Sequence, residues 1–172
     1  MTPAPRPART ASAAATRDLA AALAGLLRPG DLLLLVGDLG TGKTTFTQGL
    51  ARGLGVTDPV TSPTFTLLRG YPCGPGPVAT LLHADLYRLD RLQDVVDLGI
   101  GEMVEDGSVA VVEWGDVAAP LFGPDVLTVT LAVGSTEEQR IVTLMPAGAW
   151  SARADALAAT VRPWTDRSGP DR

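Results

Sequence analysis

Gly37-Asp38-Leu39-Gly40-Thr41-Gly42-Lys43-Thr44 satisfies the spacing G-x-x-x-x-G-K-[ST], and Lys43 is the single lysine among 14 basic residues, the others being arginine. No other stretch restricts the surrounding fold as strongly. A loop of this composition curls so that successive N–H groups point inward and form a nest for an anion. A helix leaving the loop adds the positive end of its dipole. Both flanks fit that requirement. Leu32–Val36 is an apolar run behind the Pro29-Gly30 break and predicts a buried strand. Phe46, Leu50 and Leu54 recur at spacing four and predict one face of a helix ending at Gly53 or Gly55.

The chemistry explains why lysine stands there. A compact ammonium on a flexible stem reaches under the curled backbone and sets a point charge between β- and γ-phosphates, which a planar guanidinium does less well. Thr44 is then placed to offer its hydroxyl to Mg²⁺. A glycine-rich turn without a ligand is the plainer alternative, and the strand–loop–helix context speaks against it.

Composition narrows the rest. A chain of 172 residues, 45% hydrophobic and 19% charged, suits one compact domain. The net charge of −5, without a basic cluster, argues against strong non-specific binding of nucleic acid by the chain itself. Cys73 is the only cysteine, so no internal disulfide forms, and a cytoplasmic setting is expected. His83 is the only histidine, which removes His/Cys metal clusters and Ser–His or Cys–His triads from consideration. The longest apolar stretch, Leu19–Leu27, is too short to span a bilayer, so no membrane role is expected. Residues 1–15 are rich in Pro, Ala and Arg and are expected to be a disordered lead-in. Residues 16–162 are the expected domain, and 163–172 a flexible tail.

Along the chain, Thr16–Arg28 predicts a first helix with Thr16 as its N-cap. Thr64–Tyr71, Val78–Ala84 and Ser108–Val112 read as strands, with short helical pieces at Leu92–Leu98 and Gly101–Glu105. Val126–Val133 and Arg140–Met145 read as a hairpin near a sheet edge, and Trp150–Val161 as a closing helix. Strands that arrive in runs, rather than alternating with helices, predict a mixed sheet with a large antiparallel part.

Two acids sit where apolar strands end, Asp85 and Glu113. Ligands of α/β sheets gather there. Either acid could hold Mg²⁺ or orient an attacking water, although each taken singly reads as an ordinary strand-end carboxylate. Thr61-Ser62-Pro63-Thr64-Phe65 could respond to a γ-phosphate as a switch segment. Trp114 could lie near a nucleotide or fill the core. Arg88 and Arg91 could reach phosphate, or pair with Asp90 and Asp94. Guanine-specific GTPases need a second lysine in Asn-Lys-x-Asp, which this chain lacks, so adenine is the expected base.

Four stretches in order, G-D-L-G-T-G-K-T-T-F at 37–46, S-P-T-F at 62–65, H-A-D-L-Y-R-L at 83–89 and V-E-W at 112–114, resemble the bacterial TsaE (YjeE) family, the ATPase component of tRNA threonylcarbamoyladenosine biosynthesis. The resemblance covers roughly Thr16–Met145. It implies a P-loop NTPase-like three-layer α/β sandwich with a mixed parallel and antiparallel sheet. It implies ATP and Mg²⁺ at Gly40, Thr41, Gly42, Lys43, Thr44 and Thr45, with Thr44 and Glu113 linked to the metal. Lys43, Asp85 and Glu113 then carry the chemistry, and Thr64 and Trp114 contact the nucleotide. Thr16, near adenine, and Arg140 match only loosely. The implied partners are the kinase-fold transferase TsaD and its paralogue TsaB, with tRNA met only through that complex. Two other classes compete: a small-molecule P-loop kinase, which needs an acceptor pocket and an Arg-bearing lid, and a nucleotide-dependent switch with negligible hydrolysis.

Overall fold

The structure is a computed structural model that describes residues 7–63, 67–87, 89, 91–114 and 119–165. The described residues build one seven-stranded sheet from β1 (Ala8–Thr10), β2 (Leu32–Val36), β3 (Leu68–Pro72), β4 (Thr80–Asp85), β5 (Val109–Glu113), β6 (Val126–Val133) and β7 (Arg140–Pro146), in the order β1-β7-β6-β2-β5-β4-β3. The central strands β6, β2, β5 and β4 run parallel. The antiparallel pairs lie at the margins, β3 on one side and β7 with β1 on the other. The mixed sheet expected from the strand order is therefore present, with its antiparallel part divided between the two edges.

Alternation along the strands sorts side chains into two cores. Leu33, Leu35, Leu81, Val109 and Val111 face α1 (Ala13–Ala24), α2 (Lys43–Gly53) and α5 (Ala154–Thr165). Leu32, Leu34, Leu82, Ala84 and Val112 face α3 (Leu92–Asp97) and α4 (Ile100–Glu105). This is a three-layer sandwich. Burying each such leucine contributes about 1.5–3 kcal/mol. β2 is buried throughout its first four residues because both faces are covered.

α2 lies tight against α1. A Cβ on Gly49 would collide with the Arg17 carbonyl oxygen, so only glycine admits this approach. Arg153 anchors the C-terminal segment by donating two hydrogen bonds to buried Asp31, at 2.6 and 2.7 Å.

Several expectations need correction. The lead-in does not extend to residue 15: Ala8, Arg9 and Thr10 pair with Val142, Ile141 and Arg140. A strand of three residues is too short for its alternation to be read from sequence. The first helix begins a turn earlier than expected, at Ala13. Ser12, extended at φ −159°, caps it by accepting from the Ala15 N–H at 3.1 Å. Thr16 is instead buried inside the helix, donating back to the Ser12 carbonyl and bonded to the Thr10 hydroxyl at 2.7 Å. The helix ends at Ala24, not Arg28. The closing helix starts at Ala154 after a 3₁₀ segment, Gly148–Arg153, and runs to Thr165, past the expected domain end at 162. Residues 1–6, Thr64–Thr66, Arg88, Asp90 and the tail from 166 lie outside the described residues.

Candidate functional site

β2 delivers the chain to the loop 37–42, and α2 leaves it. Gly40 and Gly42 take positive φ values of 81° and 96°, which turn the backbone sharply into the helix. Lys43 is the first residue of α2. Its Nζ donates to the carbonyl oxygens of Gly37 and Asp38, at 2.8 and 2.9 Å. The lysine is buried, although the loop around it is open and Leu39 is 78% exposed.

Beside this loop lies a cleft of about 510 Å³. Gly40, Gly42, Lys43, Thr44 and Thr45 form one wall, and Asp85, Glu113 and Trp114 form another. Strand register explains the second wall. β4 and β5 are parallel, and Asp85 stands directly beside Glu113 at their carboxyl ends. Both belong to the sheet face that α2 covers, since Leu81 on β4 and Val109 and Val111 on β5 share that alternation. Glu113 is nearly buried, and its Oε1 accepts the Thr44 hydroxyl at 2.9 Å. Asp85 has a different role. Its Oδ2 accepts from Ser62 Oγ at 3.2 Å and its Oδ1 from the Tyr87 N–H at 3.0 Å, so it ties two loops to the end of β4.

Trp114 is the sole non-glycine residue with positive φ among the described residues, at 61°. This turn brings the indole back over the cleft. It packs on the Lys43 ammonium and against the Tyr87 ring, whose centroid is 5.0 Å away. Trp114 is thus half-buried at the edge of the α3/α4 core and also lines the cleft.

Arg140 and Thr41 hold the loop's shape. Arg140 Nε donates to the Thr41 carbonyl at 2.9 Å and Nη2 to the Gly40 carbonyl at 3.3 Å. A planar trans peptide sets its N–H opposite its C=O, so fixing the Thr41 carbonyl aims the Gly42 N–H the other way. The Thr41 hydroxyl donates to the Asp38 carbonyl at 2.8 Å. Arg140, Thr41, Thr16 and Arg91 are outside the cleft lining. Thr64 lies outside the described residues.

Two contributors escaped the sequence reading. Tyr87 lines the cleft and stacks on Trp114. His83, set aside for lack of a cysteine or histidine partner, places Nε2 2.8 Å from Glu113 Oε1. Its alternation with Asp85 on one strand was the available signal.

The donor set can be tested against the groups this loop suggests. Thr44 and Glu113 offer hard oxygens, which suit Mg²⁺. Mg²⁺ keeps several waters and uses one or two protein oxygens with substrate phosphates, so it needs no protein cage. Among the described residues, no cluster of three His, Cys, Asp or Glu is arranged to hold a metal. The residues present fit such a lightly held ion and an anionic phosphate chain.

The profile of one family, described as "Threonylcarbamoyl adenosine biosynthesis protein TsaE", matches residues 10–142. The chain belongs to the TsaE family. A Streptomyces coelicolor relative named tRNA threonylcarbamoyladenosine biosynthesis protein TsaE is 46% identical over 81% of this chain and 95% of its own. A Bacillus subtilis TsaE is 38% identical over 77% and 81%. The crystal structure of YdiB from Bacillus subtilis superposes with a TM-score of 0.71 at 32% identity, covering 90% of this chain and 92% of that one. The matched span in this TsaE-family chain runs from the end of β1 into β7, and so includes every residue lining the cleft.

Proposed function

We propose that this chain binds ATP with Mg²⁺ in the cleft under Trp114 and hydrolyses it slowly on its own, as the ATPase that supports threonylcarbamoyladenosine formation on tRNA. The single observation that carries this reading is the hydrogen bond from Thr44 to Glu113, which joins the start of the loop helix to a strand-end carboxylate. That pairing of a hydroxyl with an acid is what a magnesium nucleotide requires.

The chain's own groups divide the work. Backbone N–H groups of 40–45 and the N-terminus of α2 receive the phosphates. Lys43 exchanges its loop carbonyls for phosphate oxygens. Thr44 and Glu113 would hold Mg²⁺, which would supply neutralisation of phosphate charge. Glu113 orients the attacking water, and Asp85 beside it holds the Ser62 and Tyr87 segments at the end of β4. Trp114 and Tyr87 shield the cleft mouth, where exclusion of water strengthens each electrostatic contact. The expected setting is the cytoplasm, and among the described residues no helix is long and apolar enough to cross a membrane.

Slow turnover alone is expected because the charge stabilisation in the cleft is left for a partner to complete. The proposed partners are TsaD and TsaB, which would complete the charge stabilisation in the cleft, with tRNA contacted through them. Steady-state phosphate release, with and without the two proteins at fixed ATP and Mg²⁺, tests this. A rise on addition is expected. Equal rates would overturn the partner assignment, and phosphorylation of a small metabolite would favour a kinase instead.

A further inference from the structure

We propose that His83 is a positioning residue for Glu113: it fixes one carboxylate oxygen so that the other is presented to the cleft. The inference rests on the ATPase reading above for its consequence, and on geometry for its substance.

His83 is fully buried on β4, on the sheet face that α2 covers. Its Nε2 is 2.8 Å from Glu113 Oε1. The same Oε1 accepts the Thr44 hydroxyl at 2.9 Å. A carboxylate oxygen has two lone pairs, and an ionised carboxylate only accepts. The shared hydrogens are therefore carried by His83 Nε2 and Thr44 Oγ1, and Oε1 is saturated. Oε2 is the oxygen left for a metal-bound water or an attacking water. Among the described residues, the buried His83 Nδ1 has no hydrogen-bond partner, and the ring's polar contact there is the one to Glu113. One imidazole bond is thus directed at a carboxylate that lines the cleft, from a residue that does not line it. Without that donor, a nearly buried carboxylate loses one of the two hydrogen bonds described to Oε1, which can then rotate toward the cleft.

Because His83 is the only histidine, one imidazole signal reports it. Long-range ¹H–¹⁵N spectra of the full chain should show a hydrogen on Nε2, and Glu113→Ala should shift both ring nitrogens. An unprotonated Nε2, or spectra indifferent to Glu113→Ala, would overturn the proposal whatever the chain's activity. For function, His83→Leu should lower kcat at least tenfold while ATP affinity measured in EDTA stays within twofold. The affinity gained on adding Mg²⁺, read with a fluorescent ATP analogue, should shrink. His83→Gln, which can still donate toward Oε1, should recover most of both. On a Glu113→Ala background, His83→Leu should change neither. A His83→Leu chain with unaltered turnover and Mg²⁺ response would refute the role, as would parallel losses that Gln does not rescue. Failure of the unmodified chain to bind ATP would count against the ATPase reading alone, since the spectra read the hydrogen bond without nucleotide.

Discussion

Trp114 lies over Lys43, with the ammonium nitrogen 4.0 Å from the indole centroid. Holding a non-glycine residue at φ 61° costs about 1–3 kcal/mol, which the surrounding contacts must offset. A cation over an indole face contributes about 0.5–2 kcal/mol toward that. Phosphate arriving at the loop competes for the same ammonium. ATP should therefore change tryptophan emission, and Trp114→Phe should remove the change although Trp150 and Trp164 remain. A full response in the variant would show that the indole does not sense the ligand.

Lys43→Ala should weaken ATP binding roughly 10- to 150-fold, the equivalent of a lost charge-assisted contact of about 1.5–3 kcal/mol. Its burial adds a second effect. The Gly37 and Asp38 carbonyls lose their ammonium donor, so the ligand-free variant should also melt slightly lower. Calorimetric titration and a thermal scan measure the two separately, and unchanged nucleotide affinity would sink the phosphate-loop assignment.

Glu113→Gln preserves an oxygen for the Thr44 bond and removes the charge. Turnover should fall roughly 10²-fold or more, while affinity for ATP without Mg²⁺ stays nearly constant. Asp85→Asn should cost less, because Asp85 is engaged in holding Ser62 and Tyr87. Single-turnover rates that rank the two acids in the opposite order would transfer the water-orienting role to Asp85.

Arg140→Ala should weaken ATP binding about tenfold without touching the cleft wall, because the Thr41 carbonyl is released and the Gly42 N–H loses its aim. Arg140→Lys should recover only part, since an ammonium does not fork between two carbonyls. If Arg140 acts on the loop alone, its loss should weaken binding of ATP and of inorganic triphosphate alike. A loss confined to ATP would instead place its influence at the base or ribose.

These residues differ in how far the sequence discloses them. Lys43 and Thr44 were legible because strand, loop and helix are consecutive, and periodicity acts over such short spans. Asp85 and Glu113 were legible as strand ends, and their side-by-side placement followed once β4 and β5 proved to be neighbours. The His83–Glu113 bond depends on that pairing, 30 residues apart in sequence, which no local pattern encodes. Arg140 reaches Thr41 across 99 residues for the same reason. β1 was hidden by its length: three residues acquire strand character only from the β7 edge they join.

That small strand has a consequence for how the protein behaves in the tube. Without it, the outward backbone groups of β7 at Arg140, Ile141 and Val142, those not bonded to β6, would be open to any other extended chain. Removal of residues up to 11 would open this edge as a template for self-association, visible as a concentration-dependent rise in scattering mass. Arg140 opens β7 and pairs with Thr10, so the same trimming should loosen its grip on the phosphate loop. Solubility and ATP affinity, ordinarily unrelated traits, should decline together.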